Sequence, residues 1–296
     1  MMHIKVAGFK IELRTVNFFD TNSYEILDVN QVGDVHMVFK NLISFSLPIT
    51  HDCVYDDEVD KIRIYKKEEY FYIMSVNILL AKICIIAHKA QVLVNRNISD
   101  AALQEIVIKK VFPLFCYNTC IALPLHATGV YKEGLFCCFT GYSSAGKTTL
   151  ATSFIYEDLF DLVSDDVIFL FHKENKLFTY PTSSRLKLRD DISPYFSRQI
   201  STTKRMIVNP STKIQVQNIV LLDLKNVDNI SLEMLTSDKH QVMLQSLYCG
   251  SLCDYSSDFL YYLFSTIDFI DIWLLSYPRT LSILGKVRGC LINALK

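Results

Sequence analysis

The segment Gly141-Tyr142-Ser143-Ser144-Ala145-Gly146-Lys147-Thr148 constrains this chain more than any other part of its sequence. It satisfies G-x-x-x-x-G-K-[ST], the pattern of a loop that cradles phosphate, and it does so in the context the pattern requires. The apolar run Leu135 to Thr140 predicts a buried strand before it. Leu150, Phe154 and Ile155 fall at helical spacing after it, over Thr149 to Tyr156. Each fixed residue type has a task. Gly141 and Gly146 permit dihedrals that a Cβ forbids and let the main chain approach an anion. The N–H groups across Ser143, Ser144, Ala145 and Gly146, and those of the helix start at Thr148 and Thr149, then face phosphate oxygens. Lys147 is expected to neutralise β- and γ-phosphates, and the Thr148 hydroxyl to complete a Mg²⁺ shell. The chain has only nine glycines, yet Gly129, Gly134, Gly141 and Gly146 fall close together around this loop. That weighs against a chance match in an ordinary turn.

The bulk of the chain narrows the alternatives. Its 296 residues are enough for one large domain or two modest ones, and 50% apolar with 21% charged is the profile of a folded soluble chain. Thirty basic and 31 acidic residues leave a net charge of -1, so no nucleic-acid or anionic-membrane partner is expected. Asp268 and Asp271 break the apolar stretch Phe259 to Leu275, and Lys82 interrupts Ile78 to Ile86, so neither predicts a membrane span. The start MMHIKVAGFK does not read as a signal peptide. Nine cysteines without a C-x-x-C pair predict reduced thiols in a cytoplasmic protein rather than disulfides or a zinc site.

Along the chain, Ile62, Ile64, Tyr70, Tyr72 and Met74 alternate around Lys66-Lys67-Glu68-Glu69 and predict a hairpin; Val92 to Val94 predicts a further strand. From Ser99 the spacing of Leu103, Ile106, Val107 and Ile108 predicts a helix capped by Ser99 or Asp100, ending or bending near Pro113. A β-rich region over 1–98 and a second domain over 99–296 follow from that change of pattern. Downstream, Phe160 to Val163, Val167 to Phe171 and Ile214 to Leu224 read as strands, and the stretch from Gln241 as mostly helical with a break at Tyr277-Pro278. Strands and helices mixed around a strand–loop–helix core predict an α/β fold.

A phosphate loop alone implies a nucleotide and leaves the reaction open. Asp165-Asp166 lies about two dozen residues after Gly141, directly after an apolar run. Adjacent carboxylates at a strand end can divide labour, one holding Mg²⁺ with Thr148 and the other accepting the proton of an attacking hydroxyl. Equally, Ser164-Asp165-Asp166 can be a polar turn. His126 can steer a hydroxyl or phosphoryl oxygen, or be a histidine satisfied inside the fold.

The segment LPLHATGVYKEGLFCCFTGYSSAGKTTLATSFIYEDLFDLVSDDVIFL resembles the core of the HPr kinase/phosphorylase family, with its histidine, strand, GxSGxGK[ST] loop, helix and strand ending in Asp-Asp. The resemblance implies the mixed-sheet kinase core that this family shares with phosphoenolpyruvate carboxykinase. It also implies ATP and Mg²⁺ as cofactors, Asp165 as the base for an acceptor serine, Asp166 as its metal-side neighbour and His126 as the active-site histidine. It extends more weakly to Tyr180-Pro-Thr-Ser-Ser-Arg-Leu-Lys-Leu, Lys204-Arg205 and Tyr277-Pro-Arg-Thr-Leu. Those stretches are similar to HPr-kinase-related proteins of lasso peptide pathways, which implies a peptide or small-protein serine acceptor, and the family's habit implies a homo-oligomer. Ser144 stands where the family has its second loop glycine, and the glycine-containing signature of the bifunctional enzymes is not recognisable downstream. Phosphorylase activity, and HPr itself as acceptor, therefore fall outside the expectation.

The leading expectation is an ATP-dependent serine kinase. The alternatives are a small-molecule kinase, acting for example on free serine, and a nucleotide-binding regulatory module without transfer. Arg185, Lys187, Lys204 and Arg205 read either as phosphate or acidic-peptide contacts or as a solvated basic edge. The aromatic stretch Phe259, Tyr261, Tyr262 and Phe264 reads as helix core or oligomer contact. Asp56-Asp57-Glu58 reads as an exposed turn.

Overall fold

The computed structural model describes residues 2–6, 9–18, 21–25, 36–42, 52–57, 61–75, 78–86, 89–95, 98–157, 160–182, 194–196, 212–223, 225, 227–250 and 256–295; before residue 53, and at 54–57, 89, 100, 101 and 104, the backbone alone is described. The chain is mixed α/β, with several sheets and six α-helices among the described residues. It falls into two compact units, Met1–Ile121 with Ser251–Phe259, and Ala122–Gly250 with Leu260–Lys296. The division therefore comes after the first helical segment.

The first unit is built on one sheet. Its strands are β1 (Met2–Val6), β2 (Phe9–Phe18), β3 (Thr21–Glu25), β4 (His36–Leu42), β5 (Asp52–Asp57), β6 (Ile62–Lys67), β7 (Tyr70–Ser75), β8 (Ile78–Ile86) and β9 (Lys89–Asn95), in the order β1-β2-β3-β4-β9-β8-β7-β6-β5. Neighbours are antiparallel except β4 and β9. The predicted hairpin is β6–β7, closed by Glu68-Glu69 with Lys67 opposite Tyr70. In β8, Leu79, Ala81 and Ile83 are buried, while Lys82 points to the other face and sets its amine 3.8 Å from the Tyr70 ring centroid. The lysine that breaks the hydropathy of this run thus marks the outward face of a strand. No helix among the described residues is long and apolar enough to cross a membrane.

The helical segment comprises α1 (Asp100–Ile106), a π-turn stretch over Val107–Val111, and α2 (Phe112–Thr119). Ser99 caps it, its Oγ accepting from the Ala102 N–H at 3.4 Å. The predicted end or bend near Pro113 is met by a change of helical pitch just before it, and helical structure continues to Thr119. Pro113 has no N–H to donate within this continuous helical backbone, and the wider π pitch falls directly before it.

The second unit holds two sheets. The smaller has the order β10 (Leu123–Leu125), β14 (Ile168–Lys173), β15 (Lys176–Thr179), β16 (Ile214–Val216) and is antiparallel throughout. The larger has the order β13 (Asp161–Ser164), β11 (Ala127–Lys132), β12 (Leu135–Thr140), β17 (Asn218–Leu222), β19 (Asp271–Ser276), β18 (Ser231–Met234). Strands β12, β17 and β19 are parallel, and β13 runs with them because both β12 and β13 are antiparallel to β11. Four strands therefore present their C-terminal ends along one edge, the edge at which open α/β sheets bind ligands.

Helix α3 (Lys147–Glu157) packs on β11, β12 and β13 and against the C-terminal helix α6 (Leu284–Leu295). Phe139, Leu150, Ala151, Phe154, Val220, Leu275, Val287 and Leu291 form the buried core between them. The remaining helices are α4 (Lys239–Ser246) and α5 (Ser257–Ile267).

Three sequence expectations differ from the structure. Asp56 and Asp57, read as part of an exposed turn, end strand β5 opposite Arg63 and Ile62. The strand predicted over Ile214 to Leu224 is two strands in different sheets, β16 and β17, separated at Gln217, whose carbonyl accepts instead from the Asp271 N–H. The mostly helical reading from Gln241 misses β19, which is paired on both sides. A short continuous apolar run fits a buried strand as well as a buried helix, and only its neighbours decide. All eight described cysteines are free thiols; burial pushes the Cys137 thiol up to about 12 and that of Cys138 further.

Candidate active site

The loop Gly141–Gly146 leaves the C-terminal end of β12 and enters α3 at Lys147. Its backbone explains its sequence. Gly141 and Gly146 have φ of +143° and +92°, and a Cβ on Gly141 would lie 3.0 Å from the Leu222 carbonyl oxygen. Ser144, which replaces a glycine of the resembling family, has φ +63°, a left-handed conformation that costs a non-glycine residue about 1–2 kcal/mol. Ala145 is fully buried and fixes the loop to the core, its N–H donating to the Tyr142 carbonyl at 3.1 Å. Tyr142, Ser143 and Ser144 are exposed, and Thr149 lies half-buried in the first turn of α3.

Lys147 is 7% exposed, and its amine donates to the Gly141 and Tyr142 carbonyls at 2.9 and 3.0 Å. Burial lowers its pKa to about 8, while the charges of Asp166 and Asp165 act in the opposite direction. The cation is thus folded onto the loop's own carbonyls, weak partners that a phosphate oxygen can displace.

The acid pair emerges from β13 at the same edge. Asp165 Oδ1 accepts from Thr148 Oγ1 at 3.0 Å and from Thr128 Oγ1 at 2.9 Å, and the residue is buried. Asp166 turns the other way, with φ +86°, and its Oδ1 lies 3.5 Å from His126 Nδ1. The Ser164–Val167 turn that presents the pair is held from inside. Ser164 Oγ donates to the Val167 carbonyl at 2.6 Å, and the Thr182 N–H donates to the Val163 carbonyl at 3.1 Å.

His126 joins β10 to β11. Its N–H donates to the Ser246 carbonyl at 2.7 Å, its carbonyl accepts from Thr140 Oγ1 at 3.1 Å, and its ring stacks on Tyr248 with centroids 5.9 Å apart.

His126, the loop, Lys147, Thr148, Asp165 and Asp166 therefore meet at one sheet edge. The pairing within the tandem differs from the expectation: Thr148 is joined to Asp165, and Asp166 faces His126. Arg185, Lys187, Lys204 and Arg205 lie outside the described residues. Thr128 carries no motif of its own in the sequence; its signal is a polar residue near the start of the apolar strand β11.

Thr148 Oγ1 and Asp165 Oδ1 are hard oxygen ligands separated by 3.0 Å. Adjacent corners of an octahedron with Mg²⁺–oxygen bonds of 2.0–2.1 Å are about 2.9 Å apart, so the pair fits two positions of such a shell. Among the described residues no group of three His, Cys, Asp or Glu could hold a metal by itself. Magnesium bound with phosphates and water needs no such group.

No protein-family model matches the chain. No curated protein matches it. Among solved structures, the chain is similar to the Hpr(Ser) kinase/phosphatase from Coxiella burnetii, at 17% sequence identity, with 58% of this chain and 97% of that chain covered and a TM-score of 0.32.

Proposed function

We propose that the chain is a Mg-ATP-dependent kinase with a P-loop core, transferring a γ-phosphoryl group to a serine hydroxyl of a peptide or small protein, a lasso-type precursor peptide being the expected class. One observation carries this reading: Thr148–Asp165 and His126–Asp166 lie side by side at the loop's edge of the sheet. A binding module needs a phosphate cradle; it has no use for a second carboxylate poised beside a histidine.

The hydrogen bond from Thr148 supports Asp165 as the metal-side carboxylate, and the pairing with His126 supports Asp166 as the proton acceptor. That division reverses the one inferred from the family's residue order. In this reading Asp166 takes the proton of the acceptor hydroxyl as its oxygen bonds to the γ-phosphorus. The bond from that phosphorus to the β–γ bridging oxygen breaks, and ADP leaves. Lys147 neutralises the phosphates, and the loop N–H groups orient them. Magnesium, when bound at Thr148 and Asp165, would offset charge on the β- and γ-oxygens. Most of the rate comes from positioning and electrostatic neutralisation. The β-rich region is assigned to recognition of the acceptor.

Incubation with γ-labelled ATP tests this against a panel of serine-containing peptides and free serine. Label on a peptide serine is the expected outcome. Label on free serine alone makes the chain a small-molecule kinase. Nucleotide binding without transfer to any acceptor removes the kinase reading.

A further inference from the structure

We propose that Arg279 is a second cationic ligand for the nucleotide's terminal phosphates, set across the loop from Lys147; the inference rests on the nucleotide-site reading above. Arg279 lies just past the C-terminal end of β19, so it joins the same sheet edge. A tight turn, in which the Thr280 N–H donates to the Pro278 carbonyl at 2.8 Å, puts it at the apex.

From there the guanidinium reaches the loop. Nη1 donates to the Ala145 carbonyl and Nη2 to the Asp223 carbonyl, with the cation 5.0 Å from the Tyr277 ring centroid. A Cβ built on Gly146 would stand 3.2 Å from Arg279 Nη1 and 3.2 Å from the Tyr277 hydroxyl. Glycine at 146 therefore serves more than phosphate approach, since it also leaves room for this guanidinium. Lys147 rests on the carbonyls of the loop's first half and Arg279 on one in its second half.

Charge decides between a strut and a ligand. Tying two main-chain carbonyls together needs donors, not a positive charge. Among the described residues Arg279 has no carboxylate partner. The nearby Asp223 carboxylate accepts from Ser276 Oγ at 3.0 Å and from the Lys225 N–H at 3.1 Å, and the guanidinium meets the Asp223 carbonyl. An exposed guanidinium beside a phosphate cradle, hydrogen-bonded to neutral carbonyls, gains most from phosphate, which its planar fork can grip through two oxygens.

The effect should follow the number of phosphates. ATP, ADP and AMP affinities are measured by calorimetry for the unsubstituted chain, Arg279→Gln and Arg279→Lys, with melting temperatures recorded alongside. Arg279→Gln is expected to weaken ATP and ADP about 10- to 100-fold while leaving AMP nearly unchanged, and Arg279→Lys to fall between. ATP and ADP affinities within about twofold of the unsubstituted chain, or ATP and AMP weakened alike, would make Arg279 a strut and overturn the proposal. In the unsubstituted chain ATP should protect Arg279 from phenylglyoxal, read by peptide mapping, and AMP should not. Equal modification with and without ATP would overturn the proposal even if the variants fail to fold. An unsubstituted chain that binds no ATP removes the nucleotide-site reading itself, an outcome distinct from binding that ignores Arg279.

Discussion

Replacing Lys147 with alanine is expected to weaken ATP binding about 10- to 100-fold and to slow phosphoryl transfer on the order of 10³-fold. The two losses differ because the amine meets more negative charge at the transition state than at the ground state. Its setting supports that size. The amine is desolvated and held on two weak acceptors within the loop, so phosphate gains a cation already in place. The same setting predicts a pH profile. In the free chain the amine titrates near 8. Bound phosphate adds negative charge beside it and raises that value, so binding takes up a proton above pH 8. Affinity should therefore be level at neutral pH and fall as pH rises through that range. Calorimetry across neutral and alkaline pH reads both effects. In Lys147→Arg the alkaline fall should vanish, because a guanidinium keeps its proton. Unchanged transfer by Lys147→Ala would remove the amine from the phosphates.

The acid pair should separate under substitution. Asp166→Asn is expected to leave MgATP affinity within about twofold and to lower transfer on the order of 10³-fold, since it removes the proton acceptor and leaves the metal side intact. Asp165→Asn should instead raise the Mg²⁺ concentration needed for half-maximal activity by roughly tenfold or more, through loss of a charged oxygen beside Thr148. Initial rates against magnesium and ATP concentrations distinguish the two. If Asp165→Asn keeps its magnesium dependence and loses transfer, while Asp166→Asn keeps transfer, Asp165 is the proton acceptor and Asp166 the metal-side carboxylate.

The parts of this site that were legible in the sequence are local. The loop's strand, glycines, lysine and threonine are consecutive, and each is constrained by backbone geometry that a short stretch encodes. The tandem acids were legible because they end an apolar run. What the sequence hides is pairing over distance. Thr128 reaches Asp165 across 37 positions, and Arg279 reaches Ala145 across 134. Nothing in either local pattern announces its partner. The same holds for the fold. The hairpin β6–β7 follows from alternation around a turn, whereas β19 is an apolar run that becomes a strand only because β17 and β18 pair with it. Which carboxylate faces Thr148 was likewise beyond reach, since adjacent residues differ by a turn of the backbone, here the positive φ of Asp166.

The structure of the chain with Mg²⁺ and a non-hydrolysable ATP analogue would locate the nucleotide, the metal and the acid pair together. The β- and γ-phosphates should lie within the Gly141–Thr148 loop, the metal between Thr148 and Asp165, and Asp166 on the open side of the γ-phosphate. A nucleotide lodged elsewhere, or a metal remote from both Thr148 and the acid pair, would contradict that arrangement.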